Sequence, residues 1–485
     1  MSAVEHISVS HHKCFGIISN NAIEFIVYGS CAFSAIFSSV FINSSMVELI
    51  KKTTGDKNAE KSASTAILID EFVSLIMGIL CTFFLDALNI HNVLLMAFII
   101  TTMSYISYFL MLIQESRKPS SIYVIYTIRA IYSIGNTPSL ACVFSTLHHI
   151  FGKDTEKIGR GSAVYGFICI VAAISSSLGM SKINDFYVSY GILAVSQAIP
   201  VSLILLASMK KKLTNTASTE SICIALKENA EYSMNFFFRK GSLTKYLGIF
   251  ALISLAWVAR TTSLAPYAFV KLCIPKNVYS AFMRFHGIGQ VAMSFWYFFF
   301  MCVIQGCVSK FPCIAKEERP FIQYIFTGFL GLIFAFISYL CLLSGKNKYG
   351  DMPLIGTFAG SAQVAITFYQ MAFLSTFIKD MSQSLDEPAQ INGIRSGIVG
   401  ITSLFGSLST LIMSLITLLT GTEDSKTEAE KKEKGTKNSE PNNSATSSFS
   451  LNPKSFFVIV IPAVLALVSE FLYQVIMLHS RQNNI

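Results

Sequence analysis

The stretch that decides the fold of this chain reads IRAIYSIGNTPSLACVFSTLHHIFGKDTEKIGRGSAVYG, residues 128–166. An apolar run that carries Arg129 ends in a short loop of acidic and basic residues. A second apolar run starts at Gly161, directly after Arg160. Apolar runs of about 20 residues cross a ~30 Å hydrocarbon layer, and they do so as helices. This stretch therefore predicts two membrane-spanning helices joined by a short charged loop.

The rest of the chain repeats this alternation of apolar runs and polar loops. Hydrophobic residues make up 52% of the 485 and charged residues only 13%, a balance that suits a lipid-exposed chain and not a soluble one. We predict an all-α, polytopic membrane protein with about twelve transmembrane helices. The predicted spans are residues 15–42, 65–85, 93–114, 122–148, 161–182, 190–208, 246–272, 279–305, 321–343, 353–378, 394–420 and 455–479.

The spans divide into two six-helix bundles separated by a basic cytosolic connector. The N-terminal tail, the first bundle, the connector, the second bundle and the C-terminal tail are residues 1–14, 15–208, 209–245, 246–479 and 480–485. Apolar residues in the connector recur at helical spacing, which predicts an amphipathic helix resting on the membrane or on the bundle. Residues 43–64 predict a polar loop, and residues 421–454 predict a disordered one.

The orientation of the chain follows from the charges of its loops. With the two long polar loops set aside, the loops on the side of the two termini contain more lysine and arginine than the loops on the opposite side. Because cytosolic loops are rich in these residues, this favours cytosolic termini. The glycosylation triplets at Asn43 and Asn442 would then lie on the opposite side. The sequence leaves open whether the membrane is the plasma membrane or an endomembrane.

Ionisable residues inside the predicted spans are the candidates for function, because charge within hydrocarbon costs several kcal/mol. Two interpretations stay open: a polar substrate site whose carboxylates exchange a proton, or interhelical ion pairs that fix the bundle or lock a gate. Glu24, beside two asparagines, favours the first, whereas Glu470, alone on the last span, favours the second. The other main candidates are Asp70, Glu71, Arg129, Arg260 and Arg284.

An alignment of the two halves relates these charges to each other. The first spans of the two halves place Glu24 within about a turn of Arg260. The second spans place Asp70 and Glu71 opposite Arg284. Opposite charges at related positions of two halves predict a central binding site between them.

Residues 128–166 resemble the fourth-to-fifth helix region of the major facilitator superfamily. That family carries R-x-x-x-G-x-G on helix four, then a short charged loop and an R-G…G start to helix five. Arg129 and Gly135 match the first pattern, although Ser133 replaces its first glycine. Arg160 and the glycine that follows it match the second.

The second half contains a related stretch, DEPAQINGIRSGIVGITSLFGSLSTLI, residues 386–412. Arg395 and the glycines that follow it repeat the pattern of Arg160 about 235 residues later, as two homologous halves would. The best-known signature of the family, G-x-x-x-D-R-x-G-R-R between helices two and three, is degenerate. Here the chain reads GILCTFFLDALNIHNVLL, residues 78–95, with Asp86 in place but Ala87 at the basic position.

The resemblance implies transport by alternating access of a small polar solute. Glu24 and Arg129 would couple a proton or bind the charge of the substrate, and Asp70, Glu71 and Asp86 would serve gating or charge pairing. The other residues expected to bind substrate or couple ions are Tyr28, Arg260, Arg284, Gln290, Gln363 and Gln370.

The expected partners are the solute, membrane lipid and a coupling proton, with no nucleic acid, no cofactor and no metal, and we expect a monomer. Three arginines within the spans favour an anionic or zwitterionic solute, because guanidinium groups clamp carboxylate or phosphate.

Two other functions remain open. The degenerate signature between helices two and three would fit a transporter-derived receptor or scaffold that no longer transports. A polytopic membrane enzyme is the other alternative, and its support is one acyltransferase-like H-x-x-x-x-D pattern from His149 to Asp154. No second acyltransferase element, phosphate-binding Walker loop or G-x-S-x-G turn accompanies it, so we do not expect an enzyme.

Overall fold

The computed structural model describes residues 20–55, 59–84, 88–114, 121–151, 155–176, 185–209, 222–238, 243–273, 284–297 and 352–382, with parts of 329–337, 397–415 and 461–476. Every regular element in these ranges is helical. The helices are α1 (Asn20–Thr54), α2 (Ala59–Phe84), α3 (Ile90–Gln114), α4 (Ile122–Phe151), α5 (Thr155–Ile174), α6 (Phe186–Met209), α7 (Ile222–Phe238), α8 (Leu243–Cys273), α9 (284–297), α10 (329–331 and 333–337) and α11 (Met352–Ser382). Further helical residues lie within 397–415 and 461–476.

Three helical segments among the described residues are long and apolar enough to cross a membrane: Ala22–Ile42, Ile90–Gln114 and Phe186–Met209. A fourth candidate is the bent pair formed by Leu226–Phe238 and Leu243–Val258. The expectation of an all-α chain with apolar spans therefore agrees with the described residues. The count of twelve spans stays a prediction.

The first helix is longer than the sequence led us to expect. Residues 43–54 belong to α1, so our prediction of a polar loop over 43–64 is wrong for this part, and Asn43 lies in a helix. Apolar residues such as Leu49 are buried there, which gives the polar end of the helix a packing surface. Lys51 and Lys52 suit the negative end of the helix dipole, and Gly55, at φ 65°, accommodates the turn that ends it.

The first six helices pack into a bundle in which α3 lies between α4 and α6. Helix α1 contacts α2, α4, α5 and α6, and α2 packs along α4. The close approach of α3 and α4 depends on Gly135, because a Cβ there would lie 2.6 Å from the carbonyl oxygen of Ala97. The glycine that matches the family pattern thus serves helix packing.

Helices of the second half pack closely in the same way. Helix α8 lies along α11. Helix α9 approaches α11 through Gly289 and Gly360, where an added Cβ would overlap the backbone of Thr357 and of His286, respectively. These glycines set the distance between the two helices.

Contacts between the two halves are also close. Helix α5 packs against α11. A Cβ at Gly78 of α2 would lie 3.0 Å from the backbone of Leu404, and one at Gly287 of α9 would lie 3.1 Å from Ile174 of α5. A single cluster of buried apolar side chains includes residues of both halves. The halves therefore meet through small residues that allow the helix backbones to approach.

Helix α7 occupies the connector between the halves. It contacts α2, and Phe236 and Phe237 pack against the apolar core that the halves share. Lys245 at the start of α8 donates to the carbonyl of Phe236 and stacks over the Phe236 and Tyr246 rings at 4.9 and 4.8 Å. The apolar side of the helix thus rests on the bundle. That the connector is cytosolic remains a prediction.

Candidate functional site

The centre of the candidate site is a buried ion pair between Arg129 of α4 and Asp70 of α2. Ser133, one turn after Arg129, donates to the other oxygen of the same carboxylate. Arg129 is fully buried, and it is the largest of the completely buried side chains among the described residues. The packing of α2 along α4 places the three side chains in contact.

A group of four buried tyrosines surrounds this pair, and we call Tyr105, Tyr108, Tyr132 and Tyr190 the tyrosine cluster. The Tyr132 ring lies 5.0 Å from Cζ of Arg129, which is cation–π distance. Tyr105 meets Tyr132 edge to face at 5.5 Å, and Tyr190 lies 5.4 Å from Tyr108. Helices α3, α4 and α6 thus bring phenolic rings and hydroxyls to one buried charge.

The energetics of this arrangement favour keeping the pair intact. A charge in a low-dielectric interior loses hydration worth several kcal/mol, which a close partner and hydrogen bonds offset. Removing one member typically costs 3–5 kcal/mol, because the other stays buried without compensation. An arginine enclosed by tyrosines can also receive an anion, provided that the anion replaces the carboxylate of Asp70.

A second polar group lies at the other end of the first bundle. The Tyr28 hydroxyl and Nδ1 of His91 are 2.5 Å apart, with their rings stacked at 5.9 Å. Glu24, one turn before Tyr28 on α1, is also buried. Along α3, His91 and Tyr105 are fourteen residues apart, or about 21 Å. Glu24 and Arg129, each expected to couple a proton or bind the charge of the substrate, therefore lie in different parts of the bundle.

In the second half, the structure brings together two glutamines that we singled out. Gln290 of α9 donates through Nε2 to Oε1 of Gln363 on α11 at 2.8 Å. Oε1 of Gln290 is buried and has no hydrogen-bond partner among the described residues. Ser294, one turn later on α9, has a buried hydroxyl that also has no hydrogen-bond partner among the described residues. The amides and this hydroxyl form a polar strip able to hydrogen-bond a hydroxyl or amide.

The remaining predicted site residues are placed as follows. Arg284 is exposed at the start of α9. The basic partner of Asp70 is instead Arg129, a residue of the same half. Tyr28 is fully buried and contacts His91. Glu71 and Gln370 are half-buried.

Several predicted residues lie outside the part of the chain that is described. Asp86 is among them, and so are the side chains of Arg260 and His149. Among the described residues, no group of three or more His, Cys, Asp or Glu side chains could hold a metal ion.

Sequence reasoning missed the tyrosine cluster, His91 and Ser294. A signal for the cluster existed in the helical spacing of Tyr105 to Tyr108 and of Arg129 to Tyr132, each three residues apart, which places both members on one face. His91 stands within the degenerate signature, at its last basic position.

Comparisons with known proteins give a fold but no close relative. No protein-family model matches the sequence, and no curated protein resembles it significantly. Among solved structures, the major facilitator superfamily proton:xylose symporter XylE, bound to 6-bromo-6-deoxy-D-glucose, superposes with a TM-score of 0.60 at 11% identity. The match covers 94% of this chain and 95% of that one.

A bacterial homologue of the iron transporter ferroportin, in its outward-facing state, superposes with a TM-score of 0.59 at 9% identity. It covers 94% of this chain and 98% of its own. The same homologue with soaked iron gives a TM-score of 0.57 at 10% identity, with the same coverage. At such identities, the similarity concerns the fold.

Proposed function

Because the chain has the fold of the major facilitator superfamily over 94% of its length and is a multi-pass integral membrane protein, we propose that it transports a small polar solute across a membrane. The two halves are six-helix bundles, with twelve spans in all, that rock about a central site. The solute is anionic or zwitterionic, and its movement is coupled to a proton. The observation that carries this proposal is the buried pair of Arg129 and Asp70 within the tyrosine cluster.

The buried pair supports an anionic solute for the following reason. A fully buried arginine is expensive to keep in a membrane protein, and such residues mark substrate or ion pathways by default. The guanidinium of Arg129 holds a carboxylate in this structure, so its surroundings already suit an anionic group. Tyrosine hydroxyls beside it add hydrogen-bonding groups without adding charge.

The glutamine pair supports a second group of contacts to the same solute. Gln290 and Gln363 come from the second half, whereas Arg129 comes from the first. A solute that carries a carboxylate or phosphate together with hydroxyl or amide groups would satisfy both halves. Binding of one molecule by both halves is how a ligand draws them together in alternating access.

Proton coupling follows from the chemistry of Asp70. A proton on this carboxylate would remove its negative charge and leave the positive charge of Arg129 for an anionic solute. Proton and solute would then occupy the site together and leave it together, which is symport. Glu24, buried at the other end of the bundle, is a second carboxyl on which a proton could be held.

Small residues between the halves support the rocking motion. At Gly78, α2 meets the backbone of Leu404 in the other half, and at Gly287, α9 meets the side chain of Ile174. Surfaces without protruding side chains can slide and separate with little repacking.

The proposal is tested by uptake into vesicles that contain the purified protein. A thermal-shift screen of sugars, amino acids, carboxylates and nucleosides selects the solute class, since a ligand that binds only the folded state raises its stability. Uptake is then measured with and without an inward proton gradient. We expect flux of one acidic class, increased by the gradient and abolished in Arg129→Ala and Glu24→Gln.

The matched control is Lys51→Ala, which removes an exposed positive charge at the end of α1 and should leave flux unchanged. Full flux in both Arg129→Ala and Glu24→Gln would contradict the site assignment. No flux for any solute class would favour the receptor or scaffold alternative over transport.

A further inference from the structure

Two buried polar atoms on adjacent turns of α9 have no hydrogen-bond partner in the part of the chain that the structure describes. They are Oε1 of Gln290 and the hydroxyl oxygen of Ser294, and the two residues are 7% and 4% exposed. A buried polar group without a partner loses its hydration for nothing, so folded proteins contain few of them. Residues four apart are neighbours on one helix face, so the two atoms indicate one binding position for a polar group from outside the chain.

Contacts between α9 and α11 hold this position in place. Nε2 of Gln290 donates to Oε1 of Gln363 at 2.8 Å. A Cβ at Gly360 would lie 3.1 Å from the backbone nitrogen of Gln290, so the two helices touch there. Ser361 of α11 donates to a backbone carbonyl of α9 at 3.1 Å. One end of the Gln290 amide is therefore anchored, and its other polar atom is left to meet a ligand.

The hydrogen-bonding capacity of the two atoms selects the group that fits. Oε1 of Gln290 only accepts, whereas the hydroxyl of Ser294 both donates and accepts. A hydroxyl group of a ligand satisfies both with a single atom, because it donates to Gln290 and accepts from Ser294. It also fits when the Gln290 and Gln363 amides turn over together, since it then accepts from the nitrogen of Gln290 and donates to Ser294.

Other polar groups satisfy this position less completely. A carboxylate or ketone oxygen only accepts, so it leaves Oε1 of Gln290 facing another acceptor. An ammonium group can donate to both atoms, but Gln290, Gln363 and Ser294 are uncharged and do not offset the hydration that a buried charge loses. Water has the same capacity as a hydroxyl, and a ligand hydroxyl that displaces it keeps its hydrogen bonds.

We propose that Gln290 and Ser294 form a subsite for a hydroxyl group of the solute, so that the transported solute is a hydroxylated acid. The hydroxyl is bound in the second half of the chain, and the acidic group is bound by Arg129 in the first half. This inference rests on the proposed function, because it names the class of solute within it.

Thermal-shift measurements on the purified full-length protein test the proposal. The probes are pairs of compounds of equal charge that differ by one hydroxyl: lactate with propionate, malate with succinate, glycerate with lactate, and glycerol phosphate with propanediol phosphate. Alanine and pyruvate carry an ammonium group and a carbonyl oxygen in place of the hydroxyl of lactate. Titration of each probe gives an affinity, because a ligand that binds only the folded state raises its stability.

We expect the hydroxylated member of a pair to bind about tenfold more tightly than its partner, since the partner leaves buried polar groups unsatisfied. Ser294→Ala and Gln290→Leu should each reduce this preference without weakening the partner that lacks the hydroxyl. Equal affinities in the wild type would assign the position to water only and overturn the proposal. A preference that persists in both variants, or tighter binding of alanine or pyruvate than of lactate, would also overturn it.

Stability without a ligand is the second measurement, and it decides if no probe binds. Because the Ser294 hydroxyl has no partner, Ser294→Ala should leave the melting temperature unchanged or raise it. The matched control is Ser361→Ala, which removes a bond between α11 and α9 and should lower the melting temperature while keeping the preference for hydroxylated probes. An equal fall in both variants would show that the Ser294 hydroxyl stabilises the fold, and would overturn the proposal.

Uptake into vesicles separates a failure of this inference from a failure of transport. Equal uptake of lactate and propionate, or of the two members of any other pair, would keep transport and remove the hydroxyl subsite. Preferential binding of hydroxylated probes without uptake of any of them would keep the subsite and favour the receptor alternative.

Discussion

Asp70 of α2 pairs with Arg129 of α4 inside one half of the molecule, and Ser133 completes the hydrogen bonding of the carboxylate. An acid and a base on neighbouring helices of one bundle hold that bundle together, whereas an acid and a base on opposite halves would hold the halves closed. The pair therefore holds the first bundle together in this structure and does not join the two bundles. Under the proposed function, it is the group that a solute or a proton opens.

Asp70→Asn should destabilise the protein by about 3–5 kcal/mol, because it leaves the charge of Arg129 buried without its counterion. Asparagine keeps nearly the same shape and can still accept the hydrogen bond from Ser133. Ser133→Ala, which removes that bond and leaves the ion pair, should cost less. Thermal unfolding of the purified protein in detergent measures both. Equal melting temperatures for the wild type and Asp70→Asn would show that the charge of Asp70 does not stabilise the folded protein.

The exchange Asp70→Arg with Arg129→Asp separates a structural role from a binding role. Each single change should destabilise the bundle, whereas the double exchange restores an ion pair and should recover much of the stability. Uptake should remain absent in the double variant, because the positive charge now projects from α2 instead of α4. Recovery of uptake together with stability would assign the pair to structure alone.

Tyr28→Phe should cost about 1–3 kcal/mol of stability, because it removes the buried hydrogen bond between the Tyr28 hydroxyl and Nδ1 of His91. The imidazole then stays buried without this bond. Tyr123→Phe is the matched control, since Tyr123 is 75% exposed and should change stability by less than about 0.5 kcal/mol. The two variants are compared by thermal unfolding at one pH. A Tyr28→Phe protein as stable as the control would contradict this expectation.

Gly289→Ala should destabilise the second half by about 1–3 kcal/mol or more, because the added methyl overlaps the backbone of Thr357 and forces α9 away from α11. Gly191→Ala in α6 is the control: its Cβ would lie 3.5 Å from the ring of Phe109, an ordinary contact. There the better helix propensity of alanine should leave stability unchanged or raise it by up to about 1 kcal/mol. The melting temperature of Gly289→Ala should therefore fall, whereas that of Gly191→Ala should stay the same or rise.

Gln290→Leu and Gln363→Leu should each raise the KM for the transported solute about tenfold. Each variant loses one hydrogen bond to the solute, and a loss of about 1.4 kcal/mol weakens binding tenfold. Because the two amides also bond each other, the double variant should lose less than the product of the single effects. Initial uptake rates over a range of solute concentrations measure this. Unchanged KM values in both single variants would remove the glutamine pair from the solute site.

Hydropathy predicted the helical, membrane-embedded nature of the chain because long apolar runs have few alternatives in lipid. It failed at the end of α1. Residues 43–54 are polar enough to be taken for a loop, and they are helical because one side of them is buried in the bundle. Such a segment is amphipathic and not uniformly apolar, so a search for apolar runs ends too early.

The sequence also singled out Arg129 as a candidate, because a charge inside a membrane span is costly and often serves a function. It did not identify the partner of Arg129. An alignment of the two halves suggested that Asp70 faces Arg284, whereas the packing of α2 along α4 brings it to Arg129. Which side chains meet within a bundle depends on the crossing angle of the helices and on the rotation of each helix about its axis. An alignment of predicted spans gives neither quantity.

By itself, the sequence determined that this chain is helical, lies in a membrane and carries charged residues within its spans, because each of these depends on the local composition of a single segment. Only the tertiary structure decided which charges meet, that Glu24 and Arg129 lie in different parts of the bundle, and that four tyrosines gather around one arginine. Those relationships join residues that are distant in sequence, and the rotation and approach of whole helices set them.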